Sequence, residues 1–394
     1  MPPMPRAASK TSFSVVAAAA ALFVLRYVAR STIDESPRSR VAAGGRPGQG
    51  GGQGGGPESP GGHGIGGAGK QHAPPHAANE PGRGREAETP TKIPARGWKD
   101  ILWRVWEEIG QDRVMAVAAG VTFYGLLAIF PAIAAFVSLY GLVADPAEIE
   151  GHLAAMSGVL PGGALEIVGE QVKRIASQGE GSLGFGFAAG LAVSLWSANA
   201  GMKAVFDALN VVYDEEEKRS FIKLNALSLL FTVGAIVILL TAIVATAVLP
   251  HVLDYVGLGK ALEWALSLLR WPILLALVVV GLAVLYRWGP SRDKAEWKWV
   301  TPGSLLASVL WVVGSMLFSW YAANFGSYNE TYGSLGAVVG FMTWMWISTI
   351  VVLLGAEMNA EMEHQTAKDT TEGPTKPMGA RQATMADTLG PAKS

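Results

Sequence analysis

The sequence predicts an all-α polytopic membrane protein, with six core transmembrane helices and two short outer amphipathic helices. Three observations predict it. Half of the 394 residues are hydrophobic and 16% are charged, against about 25% charged in an ordinary soluble domain. Six segments each supply the roughly 20 mostly apolar residues that a helix needs to cross about 30 Å of hydrocarbon. Lys and Arg alternate between abundant and scarce in successive connections, the asymmetry that sets orientation in a membrane.

Residues 1–97 form an N-terminal extension, mostly a Gly/Pro-rich tether. Between Ser31 and Gly97 large apolar side chains are nearly absent, so the segment buries too little surface to offset its ordering entropy and is expected to be disordered. Near its start, residues 12–28 are apolar, with Arg6 and Lys10 ahead and Arg26 inside; a seventh span or an unstructured or surface-bound extension fits, whereas a cleaved signal peptide would deliver Trp98 outside, against the orientation given below. The string Gly64-Ile65-Gly66-Gly67-Ala68-Gly69 matches the dinucleotide-binding fingerprint in letters only, because no strand precedes it and no helix follows. His63, His72 and His76 read as part of a solvated spacer.

The core, residues 98–364, places its spans at about Val114–Val143, Leu183–Lys203, Leu224–Leu249, Trp264–Tyr286, Pro302–Phe325 and Leu335–Glu357. Aromatic residues such as Trp103, Trp106, Tyr140, Trp288 and Trp297 lie at their ends, as interfacial belts require. In the first outer loop Ile149, Leu153, Met156 and Leu160 recur at helical spacing, and Leu165, Val168, Val172 and Ile175 do so after Pro161-Gly162-Gly163. These are the two amphipathic helices, which would cap the bundle, lie on the outer leaflet or dock a partner. Residues 365–394 read as a disordered cytoplasmic tail.

The sequence also excludes chemistry. With no Cys there are no disulfides or thiolate sites, and a net charge of -1 offers no general attraction to nucleic acid. No P-loop, H-E-x-x-H or G-x-S-x-G occurs, and outside the tether only His152, His251 and His364 are present, so no catalytic, metal or cofactor site is assigned. Asp214-Glu215-Glu216-Glu217 reads as a solvated turn.

Polar groups in and beside the spans carry more information, because in lipid they must find partners or line water. At 1.5 Å per residue, Arg113, Lys203, Asp207 and Glu357 fall at similar depth and predict a charged cluster on the inner side; ordinary interfacial anchoring is the alternative. Pro131 would kink the first span, and Tyr124, Trp196, Asn199, Tyr321 and Asn324 supply polar tips for a cavity or for helix contacts. Gly336 and Gly340 form a G-x-x-x-G that permits close packing.

Four blocks resemble a known family. They are Ala118 to Pro131 with its Phe130-Pro131 ending, Leu195-Trp196-Ser197 through Ala208-Leu209-Asn210-Val211-Val212-Tyr213, Pro302-Gly303-Ser304-Leu305-Leu306-Ala307, and Tyr332-Gly333-Ser334-Leu335-Gly336 joined to Leu354-Gly355-Ala356-Glu357-Met358-Asn359. In order and spacing they are similar to the YihY/BrkB integral membrane proteins, formerly linked to the name ribonuclease BN. The likeness covers about Trp98 to Glu363 and departs at Val121-Thr122-Phe123, where the family run is richer in Ala and Tyr. It implies a bacterial inner-membrane location, six spans and a link to the envelope. The expected function is movement of a lipid or amphipathic envelope component without ATP hydrolysis, with membrane lipids and envelope proteins as partners. The alternative is a structural or accessory subunit, and a ribonuclease is argued against by the missing ligands.

Orientation gives the first prediction. Lys92, Arg96, Lys99, Arg104 and Arg113 precede the first span, Lys218, Arg219 and Lys223 join the second to the third, and Arg287, Arg292, Lys294 and Lys298 join the fourth to the fifth. The intervening connections hold Lys173 and Arg174, Lys260, and none. Reporter fusions after Trp98 and after Glu363 should therefore both report the cytoplasmic side; an external signal from either removes the six-span arrangement.

Overall fold

The computed structural model describes residues 72–73, 75–141, 185–243, 260–325 and 334–393, all within one compact unit, His63–Ser394. The apolar segment at 12–28, the glycine string at 64–69 and both outer amphipathic helices lie outside the described residues. Among those described, the regular elements are helical: α1 (Ala95–Gln111), α2 (Val114–Gly141), α3 (Phe185–Val212), α4 (Phe221–Ile243), α5 (Lys260–Trp288), α6 (Trp297–Phe325), α7 (Ser334–Glu363) and the short α8 (Thr384–Asp387).

Six of these are long apolar helices that overlap the six expected segments. By length and composition, Phe221–Leu239, Trp297–Ala322 and Val338–Glu363 are able to cross a membrane, a fourth span follows if α1 and the start of α2 count as one bent pair, and Pro272–Trp288 is a shorter apolar stretch. Their outer faces expose Leu127, Val193, Leu230, Val237, Ile273, Val280, Met316 and Val339. Apolar exposure on that scale suits lipid and not water.

The helix ends depart from expectation where the chain leaves the apolar zone. α3 continues nine residues past Lys203 because Ala208, Leu209 and Val212 bury themselves in a core with Val114, Ala118, Tyr286, Val300, Leu353, Ala356 and Ala360. That core sits at one end of the helices, called the base below. α2 remains helical through Pro131. A sharp break, 60°, falls instead between α1 and α2, where Arg113 takes φ 51° and its carbonyl accepts from the amides of Ala116 and Val117. A left-handed conformation costs a non-glycine residue about 1–2 kcal/mol, so Arg113 is a hinge fixed by its surroundings. Asp214, also at φ 51°, ends α3 in the same way, with Glu215 N donating to Asn210 O.

Packing between helices uses small residues and polar tips, since lipid offers apolar helices no hydrophobic reason to associate. α2 packs most extensively on α3, and α6 on α7. A side chain at Gly355 would meet Ala307 Cβ at 2.7 Å and the Tyr286 hydroxyl at 2.7 Å, and one at Gly303 would strike the Gly355 carbonyl. Beside this contact Asn359 accepts from Gly303 N at 2.8 Å and donates to Val300 O at 3.1 Å. Higher up, Trp311 Nε1 donates to Ser348 at 3.1 Å and Trp344 Nε1 to Ser315 at 3.2 Å. The G-x-x-x-G expectation is corrected at Gly340, where an added Cβ would meet open space.

Gly355→Val should therefore lower stability by at least about 1–3 kcal/mol through overpacking. Gly340→Ala should change it by no more than about 0.5 kcal/mol. Thermal unfolding of the two variants in detergent checks both values, and equal effects would contradict the packing described.

Candidate functional site: a buried polar layer at the base

α1 buries Gly97, Asp100, Ile101, Arg104, Val105 and Glu108, residues three or four apart and hence on one helical face. That face is mixed. Ile101 and Val105 pack with Met358 and Met362 of α7, while the charged residues enter a polar layer. Arg104 Nε donates to Glu361 Oε2 at 2.5 Å, and its Nη2 donates to Gln365 Oε1 at 2.7 Å and to the Glu361 carbonyl at 3.2 Å. Its Nη1 reaches the carbonyl of Pro391 at 3.2 Å.

A second pair closes the other side. Arg292, from the α5–α6 connection, donates to both Glu363 oxygens at 3.0 and 2.7 Å, and Thr370 donates to Glu363 at 2.8 Å. Both side chains of the pair are fully buried. Burial alone would push the Arg292 guanidinium down, but the Glu363 carboxylate raises it above its ordinary value, so it stays charged over the Tyr213 ring, 4.1 Å away. Asn210 ties in the end of α3, accepting from Ser291 N at 2.8 Å and donating to Glu217 at 3.2 Å. Glu217 itself is pushed up by desolvation, yet the hydrogen bonds and charge of Arg219 hold it at about 2.

The expected disorder of residues 365–394, and of the tether next to the core, is corrected for the described residues. Arg85 is buried and donates to the carbonyls of Gln365 (3.2 Å) and Gly390 (2.8 Å). Thr366 donates to Ala87 O at 2.7 Å, and Arg83 grips Asp100 at 2.9 and 2.7 Å. Arg381 gathers the carbonyls of Ala386, Lys368 and Ala367. Met385 and Leu389 are buried. The physical reason is that a buried guanidinium carries five donors that need acceptors, and backbone carbonyls of the tail supply several of them. His364, also buried, lies 3.3 Å from His72 and 3.6 Å from Glu361. Desolvation lowers its pKa in spite of Glu361, so it is neutral near pH 7.

The expected cluster of Arg113, Lys203, Asp207 and Glu357 is not brought together. Arg113 and Asp207 are exposed. Lys203 donates to Asn225 Oδ1 at 2.6 Å and lies 5.4 Å from the Trp196 ring. Glu357 is fully buried, within electrostatic range of Tyr213, and among the described residues no ion pair joins it to Lys203 or Arg113. Of the expected cavity residues, Tyr124, Trp196 and Tyr321 are exposed and face outward, whereas Asn199 is buried and donates to Asn225 at 3.4 Å. Pro131 lies within α2, and the side chain of Asn324 is outside the described residues. Asp214 to Glu217 is a turn with Glu216 and Glu217 exposed, as expected, but Glu215 is buried and accepts from Thr384 N at 2.7 Å. Arg104, Arg292, Asn359, Glu361 and Glu363 were missed as a group. The signal available was Asp100, Arg104 and Glu108 at spacing four on the same face as Ile101 and Val105, opposite acids at the end of an apolar helix. No group of three or more potential metal ligands occurs among the described residues.

Apolar helices with lipid-suited faces, closed at one end by a polar layer, define a helical membrane protein. The chain belongs to the family described as virulence factor BrkB, which matches residues 105–379. It is similar to YfkH of Bacillus subtilis (strain 168), which carries a ribonuclease-like name, at 28% identity over 280 residues, 70% of this chain and 98% of that one. A UPF0761 membrane protein of Haemophilus influenzae (strain 86-028NP) is 24% identical over 66% of this chain and 93% of its own length. Another, from Pseudoalteromonas translucida (strain TAC 125), is 26% identical over 66% and 85%. No solved structure matches the chain. The family resemblance carried by the four sequence blocks is thereby shown.

Removing one member of a buried ion pair costs about 3–5 kcal/mol by orphaning the other. Arg292→Met and Glu363→Gln should each show that loss, and the double variant should lose much less than the sum. Lys203→Met and Glu357→Gln should instead add to within about 0.5 kcal/mol, as uncoupled residues do. Double-mutant cycles on thermal stability in detergent distinguish the two outcomes.

Proposed function

We propose that the chain is a bacterial inner-membrane protein of six spans with both core termini cytoplasmic, and that it moves a lipid or other amphipathic envelope component without ATP hydrolysis. A polar seam between α3 and α4 carries this reading. Asn225, Ser228 and Thr232 are buried along one face of α4, next to Asn199 and Lys203 of α3. At 1.5 Å per residue the seam runs from about 6 Å to about 17 Å beyond Phe221, hence to near the middle of a bilayer about 30 Å thick. A headgroup would travel along such a seam while its acyl chains stay in lipid. Lys203 holds an anionic headgroup at the entrance, with the exposed Trp196 ring beside it.

Membrane lipids are the partners in this reading, with envelope proteins a second class and nucleic acid none. No nuclease chemistry is assigned, and the ribonuclease-like name is that of YfkH, not of this chain. The full-length protein in liposomes should move a fluorescent phospholipid between leaflets, so that a membrane-impermeant quencher bleaches well beyond the outer half of the probe. Asn225→Leu with Lys203→Met should slow this about ten-fold or more, in keeping with the loss of one charged hydrogen bond of about 1.5–3 kcal/mol. Bleaching no faster than in empty liposomes would sink the transport reading and leave the accessory role.

A further inference from the structure

The outward face of α1 is the reverse of what a helix on a water-facing surface shows. Asp100, Arg104 and Glu108 turn inward to the polar layer, while Leu102 is 54% exposed, Trp103 53% and Trp106 39%. Water would penalise that arrangement, whereas the headgroup zone of a bilayer takes Trp and Leu readily. α1 also sits at the right level. Its inward Ile101 and Val105 pack on Met358 and Met362 in the last turns of α7, and the 60° break at Arg113 turns it away from α2. At the same end, Phe221 and Ile222 at the start of α4 are 71% and 80% exposed, and Trp297 at the start of α6 is exposed as well.

Charge selects the lipid. Arg96 and Lys99 are exposed on the same stripe as Leu102, Trp103 and Trp106, and neither makes an ion pair among the described residues. The nearby acids are engaged elsewhere: Arg83 holds Asp100, and Lys393 pairs with Glu107, which also accepts from Trp103 Nε1 at 2.8 Å. The outward face thus carries two unneutralised cations beside an apolar patch. We propose that α1 is an interfacial helix that binds anionic phospholipid, with Arg96 and Lys99 on lipid phosphates and Leu102, Trp103 and Trp106 at the top of the acyl chains. A second protein would also cover an apolar face. The packing of Ile101 and Val105 with Trp299 at the start of α6, which sets this patch beside a helix long and apolar enough to cross a membrane, and its positive charge favour the membrane.

This inference goes beyond the transport reading and stands without it. The chain has no cysteine, so single spin labels are placed on the full-length protein at L102C, W106C and, as a water-exposed control, T375C. In liposomes containing phosphatidylglycerol the first two labels should be accessible to oxygen and shielded from a water-soluble nickel chelate, and the control should show the opposite. In parallel, phosphatidylglycerol binding to the detergent-solubilised chain is titrated by native mass spectrometry. Each basic residue near an anionic surface contributes about 1 kcal/mol, roughly five-fold. R96Q with K99Q should therefore weaken binding about thirty-fold and leave phosphatidylcholine binding unchanged. Labels at 102 and 106 as open to the chelate as the control would overturn the proposal, as would undiminished phosphatidylglycerol binding by the double variant. Labels shielded only when a second protein is added would assign the face to that protein and overturn it equally.

Discussion

Ten consecutive residues at the end of α7, Glu357 to Thr366, are buried, and most of them are polar. Taking an ion out of water costs several kcal/mol unless its charge and all its hydrogen-bonding positions are met. That demand organises the base. Arg104 arrives from α1, Arg292 from the α5–α6 connection and Arg85 from the segment before α1, and each brings a planar fork of donors suited to carboxylates and carbonyls. The acids of α7 alone cannot satisfy those donors, so the chain after α7 folds back to offer Pro391 O and Gly390 O. Order in the tail and in the residues before α1 is thus a consequence of burying arginine.

Away from the base a different rule operates. Lipid already satisfies apolar surfaces on the spans, so close backbone approach and polar tips contribute to their association beside apolar contacts. Gly303 against Gly355, bridged by Asn359, is the clearest case, since each position leaves no room for a side chain. The sequence blocks that carry the family likeness acquire a physical meaning here. Asn210 fastens α3 to Ser291, Gly303 lets α6 meet α7, and Gly355 with Asn359 completes the contact. They are in large part the joints of the base.

The two rules divide the molecule into a fastened end and looser spans. A polar seam along α3 and α4 leads from the fastened end toward the middle of the apolar zone. The base is fastened by buried ion pairs, whereas the seam consists of buried neutral polar groups with Lys203 at its edge. Buried His364, 3.3 Å from His72 and 3.6 Å from Glu361, belongs to the base rather than to the seam.

The sequence by itself determined the helical class, the six apolar segments, the family and the exclusion of familiar catalytic motifs, because each rests on composition, local periodicity or contiguous motifs. It placed the helix ends poorly, since α3 and α7 continue beyond the apolar run into a polar core that only their neighbours make favourable. It took the tail and the residues before α1 for disordered, since their low hydrophobicity carries no trace of the arginines that order them. Partner choice was decided by tertiary structure alone. Equal depth along separate helices put Lys203 near Glu357 in sequence arithmetic, but rotation about each helix axis turned Lys203 to Asn225 and buried Glu357 fully. Depth is fixed by distance along one chain, whereas facing depends on how two helices pack, and no single-sequence pattern records that.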